Sequence, residues 1–530
     1  MTVGPTLGTG VFVGAGQALA AGGPAALIIS YVFLSVLVYC ATTAMAEIST
    51  HSLARDGALI EHTYHYTSRH LGFSIAYLRW VTLAMLVPFE VTTGMVNLGL
   101  WEPGSSIALR MGAVIGVIFL FNMLPDKVFR RSQAFFTGLK VVTTVGLILI
   151  SLFFAIRAGT TNYDAVGGFE YWVNPGPFNE FLLRGNIGRF LGVLYCLVCS
   201  TVAFVFIPEL TVQRAEKRNS EPGNSIFRFS RNSNLVMFTL YILSAFTATL
   251  MSPSNEQSLT NDGAGAGLSP YIVGINDSEV PVLPIIATGA IFLSSVASGR
   301  SFLQLSSRML TSMAETGHAP AMFMIRNRWN VPYVSVAITS GFTFLTYLCM
   351  ATSSSAVHNY LMFFITTSGC LSWMCSSVAY LRFRRLVSRT DLLPPHRSFI
   401  QPFGTWFVLV SSTLLTLLNL AQIILAPVPQ VNRMNAIPGY AAVGMFAFMY
   451  LAHWVISAIR ERSSRFKAPA DVRGEVEENP SSNQGVEMQT RRREGEGERS
   501  TIPRAHHATN ARGWITATYV DSPNNCTLVA

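Results

Sequence analysis

Eleven times along this chain, a run of about twenty apolar residues carries almost no charge. That recurrence constrains the fold more than any other feature. A helix of that length crosses the hydrocarbon of a bilayer, where backbone N–H and C=O groups must be bonded within the segment. The runs fall near 25–48, 73–98, 106–123, 134–156, 188–212, 233–251, 283–304, 332–351, 359–381, 404–426 and 438–458. An apolar but glycine-rich stretch, 3–20, precedes them as a twelfth, incomplete span. The fold class this predicts is an all-α polytopic membrane protein, with the lipid bilayer as its first partner. Composition agrees: only 12% of the 530 residues are charged, about half the share in soluble domains.

The net charge of +9 would suit nucleic acid if it lay on one stripe, but Lys and Arg fall between the apolar runs, so no nucleic-acid partner is expected. With the first span running from inside to outside, the inner segments hold most of them. These are Arg55 and Arg69; Lys127, Arg130 and Arg131; Arg214, Lys217, Arg218, Arg228 and Arg231; Arg326 and Arg328; Arg382, Arg384, Arg385, Arg389 and Arg397; then Arg460, Arg462, Arg465 and Lys467. The outer segments hold mainly Arg110, Arg157, Arg184, Arg189 and Arg433. By the positive-inside rule both termini are expected in the cytoplasm.

Segment 468–513 is rich in Glu, Arg, Gly, Asn and Ser and cannot bury enough surface to fold. The expected division is a transmembrane domain over 1–465 and a disordered cytosolic tail over 466–530. No basic region precedes the first apolar stretch, so a cleavable signal peptide is not expected. Asn276-Asp277-Ser278 is a usable glycosylation sequon on an outer segment, whereas Asn525-Cys526-Thr527 falls on the inner side. Of seven cysteines, Cys40, Cys196, Cys199, Cys370 and Cys375 sit in apolar runs without metal-ligand spacing and read as buried small residues.

Three features exceed what an anchor needs. The first is Gly4-Pro5-Thr6-Leu7-Gly8-Thr9-Gly10, followed by Val11-Phe12-Val13-Gly14. Glycines and a proline this close break a helix inside the bilayer, and freed backbone groups are tolerated there only along a cavity or against a ligand. The free amides that open the next half-helix suit a carboxylate. Close helix packing through small residues is the alternative reading.

The second feature is intramembrane acid: Glu90 in Val87-Pro88-Phe89-Glu90-Val91 and Glu209 in Ile207-Pro208-Glu209-Leu210. A carboxylate in hydrocarbon is costly and faces a cavity, a partner or a proton path. Each follows a proline and so lies beside loosened backbone; a structural hydrogen bond to a neighbouring helix is the plainer alternative. Glu47, at the end of its span, is as well explained by a solvated or structural role.

The third feature is Ser294-Ser295-Val296-Ala297-Ser298-Gly299-Arg300-Ser301, whose small hydroxyl residues allow close packing or cation coordination. Arg300 there can snorkel to the interface or pair with an acid. His453 reads as an interhelical hydrogen-bonding residue. No nucleotide-binding, hydrolase or metalloprotease pattern is present, so no enzyme, metal site or cofactor is expected.

Several of these stretches resemble the fungal amino-acid permeases, the yeast amino acid transporter family of the amino acid–polyamine–organocation superfamily. The likeness runs from Gly8-Thr9-Gly10-Val11-Phe12-Val13-Gly14 and Gly22-Gly23-Pro24-Ala25 through Trp80, Pro88-Phe89-Glu90 and Pro208-Glu209-Leu210. It continues through Ala215-Glu216-Lys217-Arg218-Asn219, Ser269-Pro270-Tyr271-Ile272-Val273-Gly274-Ile275 and Ser306-Ser307-Arg308-Met309-Leu310. Gly317-His318-Ala319-Pro320, Val331-Pro332-Tyr333 and Arg382-Phe383-Arg384-Arg385 complete it.

The resemblance implies a LeuT-type fold: two inverted five-helix repeats plus two C-terminal helices, with broken helices one and six holding substrate at midplane. The first helix is expected to be truncated at its N-terminus, since Met1 stands almost at the glycines. Proton-coupled symport of amino acids at the plasma membrane is implied, driven by the proton gradient without a cofactor. Thr6, Gly8, Thr9 and Gly10 would hold the substrate carboxylate, and backbone near Phe206 and Ile207 its ammonium group. Glu90 and Glu209 would serve proton coupling or ammonium recognition. The sequence departs from the family's pattern at Ile207-Pro208, where glycine is usual, and at Arg300, where asparagine is expected. Polyamine or carnitine transport on the same fold, and amino-acid sensing without transport, are the rival functions.

Overall fold

The computed structural model of the chain describes residues 10, 12–51, 58–98, 106–160, 168–218, 224–260, 267–276, 282–390, 398–425 and 437–466. The expected tail beyond 466, the sequon at Asn525 and most of the sequon at Asn276 lie outside them. Among the described residues ten helices are long and apolar enough to cross a membrane, and an eleventh, Ile107–Met123, is apolar but shorter. They coincide with the eleven apolar runs.

In chain order the helices are α1 (Gly14–Gly22), α2 (Pro24–His51), α3 (Ala58–Tyr66), α4 (Arg69–Leu98), α5 (Ile107–Met123) and α6 (Asp126–Thr160). Then come α7 (Glu170–Val173), α8 (Asn186–Phe204), α9 (Ile207–Arg218), α10 (Asn224–Met251), α11 (Pro270–Asn276) and α12 (Leu283–Glu315). The last are α13 (Tyr333–Ser340), which tightens into a 3-10 helix over Gly341–Met350, α14 (Ser354–Thr390), α15 (Phe403–Leu425) and α16 (Ile437–Phe466). Helices α8 and α9 are two parts of one span.

Sidedness within the helices inverts that of a soluble protein. On α6, Val142, Leu149, Phe153 and Ile156 are exposed, while Lys140, Thr144, Ser151 and Phe154 are buried. The buried set recurs at helical spacing, so one face of α6 turns its polar groups inward and the other offers apolar surface to lipid. Over Ile437–Ile459, helix α16 is apolar and buries little beyond Gly439 and Ala442, as a helix at the lipid boundary must. Helix α4 occupies the interior, packed against both α12 and α14.

Small residues set the closest approach. A Cβ at Gly22 would stand 2.9 Å from the Cβ of Cys196 and 3.0 Å from the carbonyl oxygen of Gly192. Helix α1 therefore lies backbone to backbone on α8, a contact that larger side chains would prevent. At the far end of α12, Gly317 takes φ +77° and the amides of His318 and Ala319 bond back to the Met313 carbonyl. The Gly317-His318-Ala319-Pro320 motif is thus a helix stop.

Candidate functional site

Of the four residues expected to hold a carboxylate, Thr6, Gly8 and Thr9 lie outside the described residues, and Gly10 is buried. A Cβ added to Gly10 would stand 3.5 Å from Ala203 Cα and 3.6 Å from its nitrogen, so this glycine rests on the last turn of α8. Gly14 looks onto Val202 and the Cys199 carbonyl from the same side. Gly10 and Gly14 therefore both face the end of α8.

The sixth span is interrupted where expected, and narrowly. Only Val205 and Phe206 separate α8 from α9, and the Val205 amide still bonds to the Thr201 carbonyl. Pro208 has no N–H, so the carbonyl of Phe204 loses its partner in the next turn. Phe206 and Ile207, expected beside the substrate's ammonium group, are both buried at this joint.

Glu209 stands in the first turn of α9, where helix polarity favours an acid. Its Oε2 forms an enclosed ion pair with Arg79 of α4, while Oε1 is buried without a hydrogen-bond partner. The same guanidinium lies over the Phe206 ring, 4.7 Å from its centroid. One arginine thus contacts both the joint of the broken span and the acid that follows it.

Glu90 belongs to a second cluster, eleven residues further along α4 and so about 16 Å from Arg79 along the helix. It is 2% exposed, and its Cβ would lie 3.6 Å from a Cβ on Gly299 of α12. Lys140 of α6 and Tyr241 of α10 both lie within its electrostatic reach. The Lys140 ammonium donates to Ser298 Oγ at 2.5 Å. The serine segment of α12 therefore receives a protein ammonium group through one of its hydroxyls.

Arg300 follows neither sequence expectation. It is 1% exposed, so it does not snorkel, and the hydrogen-bond acceptors it meets are neutral: Ser132 Oγ at 2.5 Å and Gln133 Oε1 at 2.8 Å. The rings of Phe121, Phe129 and Phe136 lie within 5.5 Å of its guanidinium carbon. Aromatic faces and amide oxygen stabilise this cation in place of an acid. Glu47 is structural: it is buried and accepts from the Ser398 amide at 3.3 Å. His453 bonds His70 across helices, Nδ1 to Nδ1, at 2.7 Å. Cys40, Cys196, Cys199, Cys370 and Cys375 are buried free thiols, as read from the sequence.

The sequence signal for Arg79 and Lys140 is a lone base in an apolar run, the mirror of the rule that flags Glu90 and Glu209. Weighing bases only by the segments between spans overlooks both.

A span broken inside a helical bundle, with enclosed charge beside the break, is the arrangement of a secondary transporter. The chain belongs to the amino acid permease family, which it matches over residues 1–465. It is 32% identical to the proline-specific permease of Emericella nidulans over 79% of this chain and 77% of that one. To the proline-specific permease of Saccharomyces cerevisiae it is 30% identical over 86% and 73%, and to the basic amino-acid permease of that yeast 27% identical over 86% and 78%. Among solved structures it is similar to a manganese transporter of Eremococcus coleocola, with TM-score 0.52 and 16% identity, covering 87% of this chain and 94% of that one. That likeness concerns the fold, which is of the LeuT type. The chain is a multi-pass membrane transporter for amino acids.

Proposed function

We propose that this permease is a proton symporter for a neutral amino acid of about the size of proline, working by alternating access at the plasma membrane with both termini in the cytoplasm. The observation that carries this reading is the Arg79–Glu209 pair beside the two-residue joint at Val205 and Phe206. Freed backbone at such a joint can bind the charged ends of a zwitterion at midplane. Glu209 already meets the charge of Arg79, which leaves it unsuited to hold the side-chain cation of a basic amino acid. The two proline-specific relatives support the same substrate class. The charge bias of the inner segments supports the orientation.

Uptake of labelled proline, alanine and arginine into yeast lacking its own permeases tests this reading. Expected are concentrative uptake of proline, abolition by a protonophore, and exclusion of arginine. Protonophore-resistant accumulation would remove the proton, and preferred arginine uptake would remove the neutral substrate. Binding of proline without accumulation would make the chain a sensor.

A further inference from the structure

We propose that His358 is the proton-loading group of the transport cycle, accepting the proton at Nε2. The inference rests on the proton-coupled reading above and assigns to it a residue that sequence motifs do not flag.

His358 lies in the second turn of α14 and is fully buried. Its ring lies against Phe89 of α4, centroids 4.4 Å apart, and its Nδ1 is 3.0 Å from Thr93 Oγ1. The tautomer follows from the network. Thr93 has one hydroxyl hydrogen, which it donates to the Phe89 carbonyl at 2.7 Å. Towards the imidazole Thr93 therefore acts as acceptor, and Nδ1 carries the hydrogen. Nε2 is left as a bare lone pair, buried and without a hydrogen-bond partner.

An unsatisfied buried acceptor is costly, at about 1–3 kcal/mol, and each one calls for a physical explanation. Here the vacancy is matched to a proton. Adding one at Nε2 forms an imidazolium whose Nδ1–H still donates to Thr93, so the group can load and unload without turning its ring.

The assignment is set by the groups on the helices packed around His358. Helix α14 packs against α2, α3, α4, α8, α15 and the 3-10 segment Gly341–Met350. Helix α15 contains no titratable residue; α8 and the 3-10 segment offer Arg189, exposed in the first turn of α8, with Tyr195, Cys196, Cys199, Tyr347 and Cys349. Of α2 the acid is Glu47, which acts on Tyr380, and Tyr66 of α3 meets the Phe383 ring edge to face; both contacts belong to the opposite end of α14, and α3 also carries Glu61, His62, Tyr64 and His65. Tyr31, Tyr39, Cys40 and His51 are the other titratable groups of α2. On α4 the acid is Glu90, next in sequence to Phe89 and on the face that meets Gly299; Arg69, His70, Tyr77 and Arg79 are that helix's other titratable groups. Glu90 also acts on Lys140. Glu90 follows the residue whose ring His358 packs on, so a positive charge on His358 bears on the tie from α4 to α6. Glu209, already paired with Arg79, has no such freedom.

The test uses the full chain reconstituted in vesicles with labelled proline, alanine and arginine. Gradient-driven accumulation is compared with counterflow exchange at equal pH. His358→Asn keeps a donor towards Thr93 and removes the titrating nitrogen. It is expected to lower gradient-driven accumulation at least about tenfold, to retain most counterflow, and to flatten the dependence on pH between about 5 and 7.5. Thr93→Ala frees the tautomer and is expected to move the midpoint of the pH profile while preserving accumulation. A His358→Asn transporter that accumulates with the wild-type pH profile overturns the proposal and leaves proton coupling intact. Wild-type protein indifferent to the gradient overturns the parent reading instead. If His358→Asn does not reconstitute, an unmoved midpoint in Thr93→Ala overturns the assignment.

Discussion

Arg79 and Glu209 form an ion pair closed off from solvent, and through it α4 holds the first turn of α9 directly below the joint of the broken span. Arg79 also covers the Phe206 ring, so any movement of α9 against α4 must disturb a charge pair and an aromatic contact together. A pair in this position is a coupling element between the interior helix and the segment expected to move.

Removing one partner of a buried pair costs more than removing both. Glu209→Gln leaves Arg79 as an uncompensated buried charge, at about 3–5 kcal/mol. The expected outcome is a lower melting temperature in detergent together with loss of accumulation. The double variant Arg79→Met, Glu209→Met is expected to recover most of the stability and none of the transport. Size-exclusion chromatography after heating, run beside uptake, reads both. A Glu209→Gln protein of wild-type stability would show that Arg79 has a second counter-charge.

Lys140→Met removes the base that Glu90 faces and the donor that Ser298 accepts. Uptake is expected to fall about tenfold or more, whereas Ser298→Ala, which removes one hydrogen bond to a charged group, costs about 1.5–3 kcal/mol of stability. Comparing initial uptake rates with melting temperatures for the two variants separates the charge from the hydrogen bond. Equal losses in both quantities would reduce Lys140 to a packing residue.

Much of this architecture can be read from the sequence, because lipid makes each span an uninterrupted apolar run. Pro208 likewise marks where a backbone bond fails. The charge network cannot be read the same way. Lys140 meets Ser298 across 158 residues of chain and Arg300 meets Ser132 across 168. Nothing local in either segment names the partner. His358 is the extreme case: its significance lies in a hydroxyl hydrogen spent elsewhere, which only the packed helices reveal.

Gly369 of α14 faces Val205, and a Cβ there would fall inside the van der Waals envelope of both valine methyl groups. Glycine to alanine inside an ordinary helix gains about 1 kcal/mol. Gly369→Ala is expected instead to lose about 1–3 kcal/mol through overpacking against a stiff β-branched side chain. The double variant with Val205→Ala is expected to recover that loss. A double-mutant cycle on melting temperatures measures the coupling, and a stabilised Gly369→Ala protein would mean the two helices separate freely at the joint.

His62 makes stability depend on pH from outside the membrane. It lies in α3, between two spans, where burial first and the charge of His65 second push it from its ordinary 6.5 down to about 3. Its ring nitrogen Nε2 is 3.4 Å from Ser49 Oγ. On acidification the unfolded chain takes up a proton at His62 before the folded chain does, so acid favours unfolding. The contribution of this group is complete above about pH 6.5 and drains as pH falls towards 3, at no more than about 1.4 kcal/mol per pH unit. His62→Gln removes the titration and keeps a polar group in the same space. Melting temperatures in detergent from about pH 7.5 to 5 are therefore expected to fall more steeply for the wild type than for the variant. Parallel curves would mean that His62 is already protonated, or already hydrated, in the folded protein.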